Sequence, residues 1–294
     1  MSNQTNLDIS VVLGSYNRFK FLKLTIDSIR NELNNFSHEI IVIDGGSNDG
    51  SLEWLIKQKD IITFAQPNHG EWLGQKIERR SWGYFMNLGF KCAQGKYICL
   101  ISDDCLFVPG SIKNAYDLAE KNISEGQNIG GVAFYFRSWS DEEKYRINYT
   151  LGRKLYINYG LFLNDAIKEV NYIDEDNYFF YHADEDLSLR IWEKGYKIIC
   201  SPNSFVEHYM HANLDAIKSN HKNRISDYNN FLKKWTIYKK IRGYKEEKEY
   251  KDEFFTGSKF RNIDKKIYFK EAKQIAKKLI GPVFIKKIKQ LLQK

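Results

Sequence analysis

Residues Gly95 to Asp104 read GKYICLISDD, an unbroken apolar run from Tyr97 to Leu100 and Ile101 that stops on two adjacent carboxylates. Apolar residues without alternation are the pattern of a strand covered on both faces, and such strands belong to parallel sheets with helices above and below. Open sheets of that kind bind ligands at the carboxyl ends of their strands, which is where Asp103 and Asp104 fall. Two like charges side by side repel unless a cation sits between them, and oxygen donors suit Mg2+ or Mn2+. Aspartate also closes turns, and Pro109-Gly110 follows closely, so the pair alone leaves a metal site and a solvated turn both open.

The sequence upstream supplies the rest of such a sheet. Ile9 to Leu13 predicts a first strand, and Gly14-Ser15-Tyr16-Asn17 turns into a helix whose apolar residues Leu22, Ile26, Ile29 and Leu33 recur at helical spacing. Glu39 to Ile43 predicts a second strand ending at Asp44, followed by the turn Gly45 to Gly50 and a short helix through Leu52 and Leu55. Ile61 to Phe64 predicts a third strand, and an irregular connection from Gln66 to Arg80 leads to a helix around Tyr84 to Ala93. Alternation of strand and helix predicts an α/β fold, a mainly parallel sheet flanked by helices with right-handed crossovers. No G-x-G-x-x-G or G-x-x-x-x-G-K-[ST] follows any of these strands, which removes the main support for a dehydrogenase or a P-loop nucleotidase.

Downstream, Gly131 to Phe136 and Asn177 to Tyr181 read as strands, Asp184-Glu185-Asp186 opens a helix closed by Gly195, and Tyr196 to Cys200 reads as a last strand. Ile225, Phe231, Leu232 and Trp235 have helical spacing, and the charged stretch from Lys239 to Lys251 reads as a linker or solvated helix. Ser138 to Val170 is rich in Tyr, Asn and charge and shows no period that assigns it an element.

The net charge of +8 is concentrated in one segment: ten lysines against two acids between Asp264 and Lys294, with the remainder balanced. With no basic face and no recognised motif in the body, nucleic acid is not an expected partner. Four cysteines without C-x-x-C spacing suggest neither zinc nor disulfides and predict a reducing, cytoplasmic setting. No apolar run reaches the roughly 20 residues of a membrane span. In the lysine-rich segment Ile275, Leu279, Phe284, Ile288 and Leu292 are interleaved with lysines, the pattern of a basic amphipathic helical tail. Such a tail predicts peripheral attachment to an anionic membrane surface, against the alternative of a solvated helix packed on the domain.

Three carboxylate groups now occupy comparable places: Asp44 after the second strand, Asp103 with Asp104 after the fourth, and Asp184 to Asp186 at a helix start. Each has a plain reading as a turn or helix-dipole residue. Their order suggests a nucleotide site, with Asp44 bonding a base or ribose and Asp103 holding a metal over a diphosphate.

The wording of these segments resembles the family 2 nucleotide-sugar glycosyltransferases of GT-A fold. ISVVLGSYNR resembles that family's opening strand and nucleotide loop, EIIVIDGGSNDGS its second strand and turn, and GKYICLISDDCLFVPGS its metal-binding strand end. YHADEDLSLRIWEKGYKI resembles its catalytic-base segment, and PNSFVEH its terminal histidine. The likeness covers roughly residues 8 to 240 and implies a Rossmann-like nucleotide-binding half (about 1–110) and an acceptor and catalytic half (about 111–240), followed by a linker and tail over 241–294. It further implies a nucleoside-diphosphate sugar donor, of which UDP-sugars are the expected class, and a glycan or lipid-linked acceptor in bacterial surface polysaccharide synthesis. Tyr16 and Asp44 would contact the nucleoside, and Asp103 would ligate a divalent Mn2+ or Mg2+ ion with Asp104 as helper. His208 would touch metal or phosphate, and Asp184 would be the general base of a single inverting displacement. The chain departs from the family at Ile101, where Asp or Asn is common, at Met86, where Arg is usual and Arg79 or Arg80 would have to substitute, and at Ala183, where Glu is usual. The last departure leaves Glu185 and Asp186 as alternative bases. Together the departures leave open a catalytically weak scaffold of the same fold; a sugar nucleotidyltransferase is the third reading.

Overall fold

The computed structural model describes residues 7–68, 71–138, 142–209, 219–238 and 245–248. In chain order its elements are β1 (Ile9–Ser15), α1 (Phe19–Leu33), β2 (His38–Asp44), α2 (Ser51–Leu55), β3 (Ile61–Ala65), the short strands β4 (Glu71–Trp72) and β5 (Gln75–Lys76), α3 (Trp82–Cys92), β6 (Tyr97–Leu100) and β7 (Cys105–Phe107). There follow α4 (Ser111–Ser124), β8 (Ile129–Ser138), β9 (Tyr145–Asn148), β10 (Gly160–Leu163), α5 (Asn164–Glu169), α6 (Ala183–Glu193), β11 (Lys197–His208), α7 (Arg224–Lys234) and β12 (Lys245–Lys248).

One mixed sheet organises the molecule. Strands β3, β2, β1 and β6 run parallel in that order, the arrangement that βαβ crossovers impose. Beyond β6 the sheet changes sense: β10 pairs antiparallel with both β6 and β8, and β11 runs parallel to β8 while pairing antiparallel with β7. Burial on both faces follows from the sequence. Along β1, Ile9, Val11 and Leu13 face the apolar side of α1, where Leu22, Ile26, Ile29 and Leu33 are all buried, whereas Val12 faces the other way, toward Phe85, Met86 and Phe90 of α3. Gly89 permits that second contact. A Cβ there would stand 2.6 Å from Val12 Cγ1 and 2.8 Å from Ile43 Cδ1, so α3 lies closer to the sheet than any side chain would allow.

Two expectations are corrected. Asn177 to Tyr181 is not a strand but a loop, because the amides of Phe179, Phe180 and Tyr181 donate to the buried Asp227 carboxylate of α7 at 2.8–2.9 Å instead of to a neighbouring strand. Within the stretch read as linker or solvated helix, Lys245–Lys248 is an edge strand paired antiparallel with β9, and Glu246 accepts from Tyr135. Charged residues are ordinary on an edge strand, which is why the composition misled. Phe231 in α7 and Trp235 just after it are buried as their spacing predicts, while Ile225 and Leu232 are exposed. The tail, with His69, Trp139 and His211, lies outside the described residues.

Candidate active site

The parallel register brings the predicted residues to one edge. Ser15 at the end of β1 lies opposite Asp44 at the end of β2, and Val12 lies opposite Leu100, so Asp103 emerges at the same edge three residues later. The loops there are tied together. The Asn17 amide donates to Ser47 Oγ, the Asn48 amide to Asn17 Oδ1, and the Phe19 amide at the start of α1 to Asp49 Oδ2, each at 2.8–2.9 Å. Asn17 adopts a left-handed backbone, φ 51°, which asparagine tolerates better than most residues. Asp44 is fully buried. Its Oδ1 accepts from the Gly46 and Ser47 amides, which shape the turn, and its Oδ2 has no hydrogen-bond partner among the described residues. Burial raises this carboxyl above its usual range although the amides pull it down.

Asp103 and Asp104 are both 2% exposed, and the cation between them is Arg18. Its Nη1 donates to Asp103 Oδ1 at 2.6 Å and to Asp104 Oδ2 at 2.9 Å. Burial pushes the Asp103 carboxyl upward against the pull of Arg18. Burial acts on Asp104 in the same sense, but Arg18 and His208 outweigh it and hold that carboxyl low. His208, at the end of β11, places Nε2 3.5 Å from Asp104 Oδ1, so the imidazole reaches the pair through Asp104. Ligand atoms of Asp104, Cys105 and His208 lie within 4.8 Å of one another. Carboxylate oxygens with an imidazole suit Mn2+ or Mg2+, and Asp103 Oδ2, buried without a well-formed hydrogen bond, is a further donor. The donor set therefore fits a divalent ion, with Arg18 standing where the ion would neutralise the pair.

At the start of α6 the three acids separate by role. Asp186 is buried and consumed by the fold: it accepts from Tyr178 Oη and Trp235 Nε1 and pairs with Arg190 and Lys234. Glu185 accepts from Thr150 Oγ1 and from His182 Nδ1. Asp184 is held by Asn158 Nδ2, which donates to Oδ2 at 2.8 Å, and by the Glu185 amide, which donates to Oδ1 at 3.0 Å. Burial, reinforced by the Glu185 charge, raises Asp184 to about 6. A carboxylate that titrates there is ionised at neutral pH yet basic enough to accept a proton.

A cavity of about 440 Å³ joins the two regions. Tyr16, Arg18, Asp103 and Ile101 line it on the strand edge, and Asp184, Glu185 and His182 line it at the mouth of α6. Gly45, the neighbour of Asp44, is among the lining residues, whereas Asp44, Asp104 and His208 are not. Arg79 and Arg80 both line the cavity beside Met86; Arg79 donates to Ser219 and Asn220, and Arg80 lies over the Tyr84 ring. Sequence reading missed Arg18, although it is the last residue of the SYNR segment. It also missed Tyr156, Asn158 and Tyr159, which come from the unassigned stretch and line the cavity, Asn158 in direct contact with Asp184.

Residues 10–182 match the model of glycosyl transferase family 2. The chain belongs to that family. The matched segment ends immediately before the α6 acids. The sequence is 28% identical over 116 residues to an uncharacterized glycosyltransferase of Rickettsia bellii (strain RML369-C), and 24% identical over 108 residues to the chondroitin synthase of Escherichia coli. These alignments take in 39% and 35% of the chain but only 15% and 14% of the relatives, so the chain spans a small part of their length. Its fold superposes on residues 1–349 of S. aureus TarS with a TM-score of 0.53, at 14% identity over 69% of this chain and 60% of that one. The mannosyltransferase PcManGT of Pyrobaculum calidifontis, solved with GDP-Man and Mn2+, superposes with a TM-score of 0.50 at 16% identity over 70% and 57%. Both likenesses concern the fold, which is GT-A. Among the described residues no helix is long and apolar enough to cross a membrane.

Proposed function

We propose that this protein is a glycosyltransferase that moves a sugar from a nucleoside-diphosphate donor, of the UDP-sugar class, to a hydroxyl of a glycan or lipid-linked oligosaccharide, with inversion. The observation that carries the reading is one cavity lined both by Asp103 and Arg18 at the sheet edge and by the raised carboxylate of Asp184 at the start of α6. The GDP-Man and Mn2+ bound by PcManGT support a nucleotide sugar with a divalent ion, and the relative named chondroitin synthase supports a glycan acceptor in polysaccharide synthesis. Tyr16 and Asp44 take the nucleoside end. Asp184 removes the proton of the acceptor hydroxyl as its oxygen attacks the anomeric carbon and the bond to the nucleoside diphosphate breaks, so no covalent enzyme intermediate forms. Asn158 and the Glu185 amide each hold one oxygen of that carboxylate, which lines the cavity. Asp103 with Asp104 and His208 would hold a divalent ion, which supplies charge neutralisation to the departing diphosphate. Incubating the protein with UDP- and GDP-sugars and Mn2+ should release nucleoside diphosphate from one donor. Failure with every donor, together with failure to bind UDP or GDP, would leave only a scaffold of this fold.

The reading also assigns the enzyme to the inner face of the cytoplasmic membrane through residues 264–294, on their charge of eight lysines in excess over acids. Each lysine near an anionic surface contributes about 1 kcal/mol. A chain ending at residue 263 should accordingly lose cosedimentation with anionic liposomes while keeping donor turnover. Unchanged cosedimentation would sink the assignment.

A further inference from the structure

Arg18 holds the position a metal needs. Its Nη1 bridges one oxygen of each carboxylate at 2.6 and 2.9 Å, and the pair it neutralises is almost wholly removed from water while Arg18 itself keeps 17% exposure and lines the cavity. The backbone on either side is fixed by the ties from Asn17 to Ser47 and Asn48 and from Phe19 to Asp49, so the side chain is what can move. A divalent ion placed on Asp103 and Asp104 with the guanidinium still there would stand against a like charge at bonding distance. The guanidinium is also the group best matched to a diphosphate, which it can grip with paired donors.

We infer that Arg18 is the resident counter-ion of the Asp103–Asp104 pair and yields it to a divalent cation only when a donor diphosphate arrives to take the guanidinium. The inference rests on the nucleotide-sugar reading above and adds an order to it: metal and nucleotide bind cooperatively because one side chain exchanges partners between them. Without nucleotide the site is self-neutralised and holds metal weakly. With nucleotide the arginine moves onto the phosphates, and the carboxylates are released to the ion.

Calorimetric titration of Mn2+ into the full chain, with and without UDP, tests this in the wild type, Arg18→Gln and Arg18→Lys. Without UDP, Arg18→Gln should bind Mn2+ about tenfold or more tighter than wild type, within the usual range of coupling between sites. Arg18→Lys keeps the charge and should stay near wild type. With UDP present the advantage of Arg18→Gln should vanish or reverse, because the variant has lost its phosphate contact. Equal Mn2+ affinity of wild type and Arg18→Gln without UDP would overturn the inference while leaving the metal site standing. Gln and Lys behaving alike would overturn it too, since packing rather than charge would then be at work. If Arg18→Gln does not fold, the wild type still decides: Mn2+ bound equally tightly with and without UDP contradicts the exchange. Absence of Mn2+ binding in every protein, with UDP and without, would overturn the metal reading itself.

Discussion

Asp184→Asn is expected to lower kcat for sugar transfer by about 10²–10⁴-fold, the range a positioned general base supplies. UDP binding should be unchanged, because Asp184 sits at the α6 wall of the cavity and the residues proposed for the nucleoside, Tyr16 and Asp44, at the sheet edge. The amide is nearly isosteric and can still accept from Asn158 or from the Glu185 amide. Stability should not fall. A carboxyl whose folded value lies near 6 binds its proton more tightly in the folded state than in the unfolded chain. Its contribution therefore declines as pH rises from the unfolded value toward 6, and at neutral pH the ionised group is a burden on the fold. Removing that charge should leave Tm unchanged or raise it, the usual trade at a site built for chemistry. The wild-type rate should carry an acid limb: below pH 6 the base is protonated and kcat falls, and above it kcat levels off. A variant that keeps wild-type kcat, or a wild-type profile with no limb near pH 6, would move the base to Glu185.

The strands and helices that frame the site were legible because their information is local. The unalternated run from Tyr97 to Ile101, the helical spacing of Leu22 to Leu33 and the acids that open α6 each encode an element within a dozen residues. What was illegible depends on partners far along the chain. Asn177 to Tyr181 has the aromatic composition of a strand, and only Asp227, nearly fifty residues on, turns its three amides into a loop. Arg18 reads as an ordinary cation at a helix start, since its carboxylates lie 85 and 86 residues away. Asp184, Glu185 and Asp186 look interchangeable in sequence. Helical geometry sends Asp186 into the packing of Tyr178, Trp235 and Arg190 and leaves Asp184 at the cavity, a separation that follows from three-dimensional neighbours. The same holds for the stretch from Ser138 to Val170, whose contribution of Tyr156, Asn158 and Tyr159 is set by the antiparallel half of the sheet.

Asp103→Asn should produce a different failure from Asp184→Asn, and the contrast tests the division of the cavity into two ends. The variant keeps Arg18 paired with Asp104, so the buried guanidinium is not orphaned and the fold should survive, as thermal melting would show. It loses the carboxylate that lines the cavity, while Asp104 and His208 keep their contact. Groups that merely orient metal ligands cost about 10–100-fold in affinity or activity when removed, so loss of a direct ligand should cost at least about 100-fold in Mn2+-dependent donor turnover. Nucleotide affinity measured with Mn2+ should fall in Asp103→Asn and hold in Asp184→Asn, because in the proposed function only the first site would meet the diphosphate. Extra Mn2+ should restore part of the Asp103→Asn activity and none of the Asp184→Asn activity, since mass action refills a weakened ion site but cannot return a missing base. If Asp103→Asn binds Mn2+ and UDP as the wild type does, the ion belongs instead to Asp104, Cys105 and His208, whose ligand atoms already lie within 4.8 Å of one another. The strand that ends on two aspartates would then present its second carboxylate to the metal and its first to Arg18 alone.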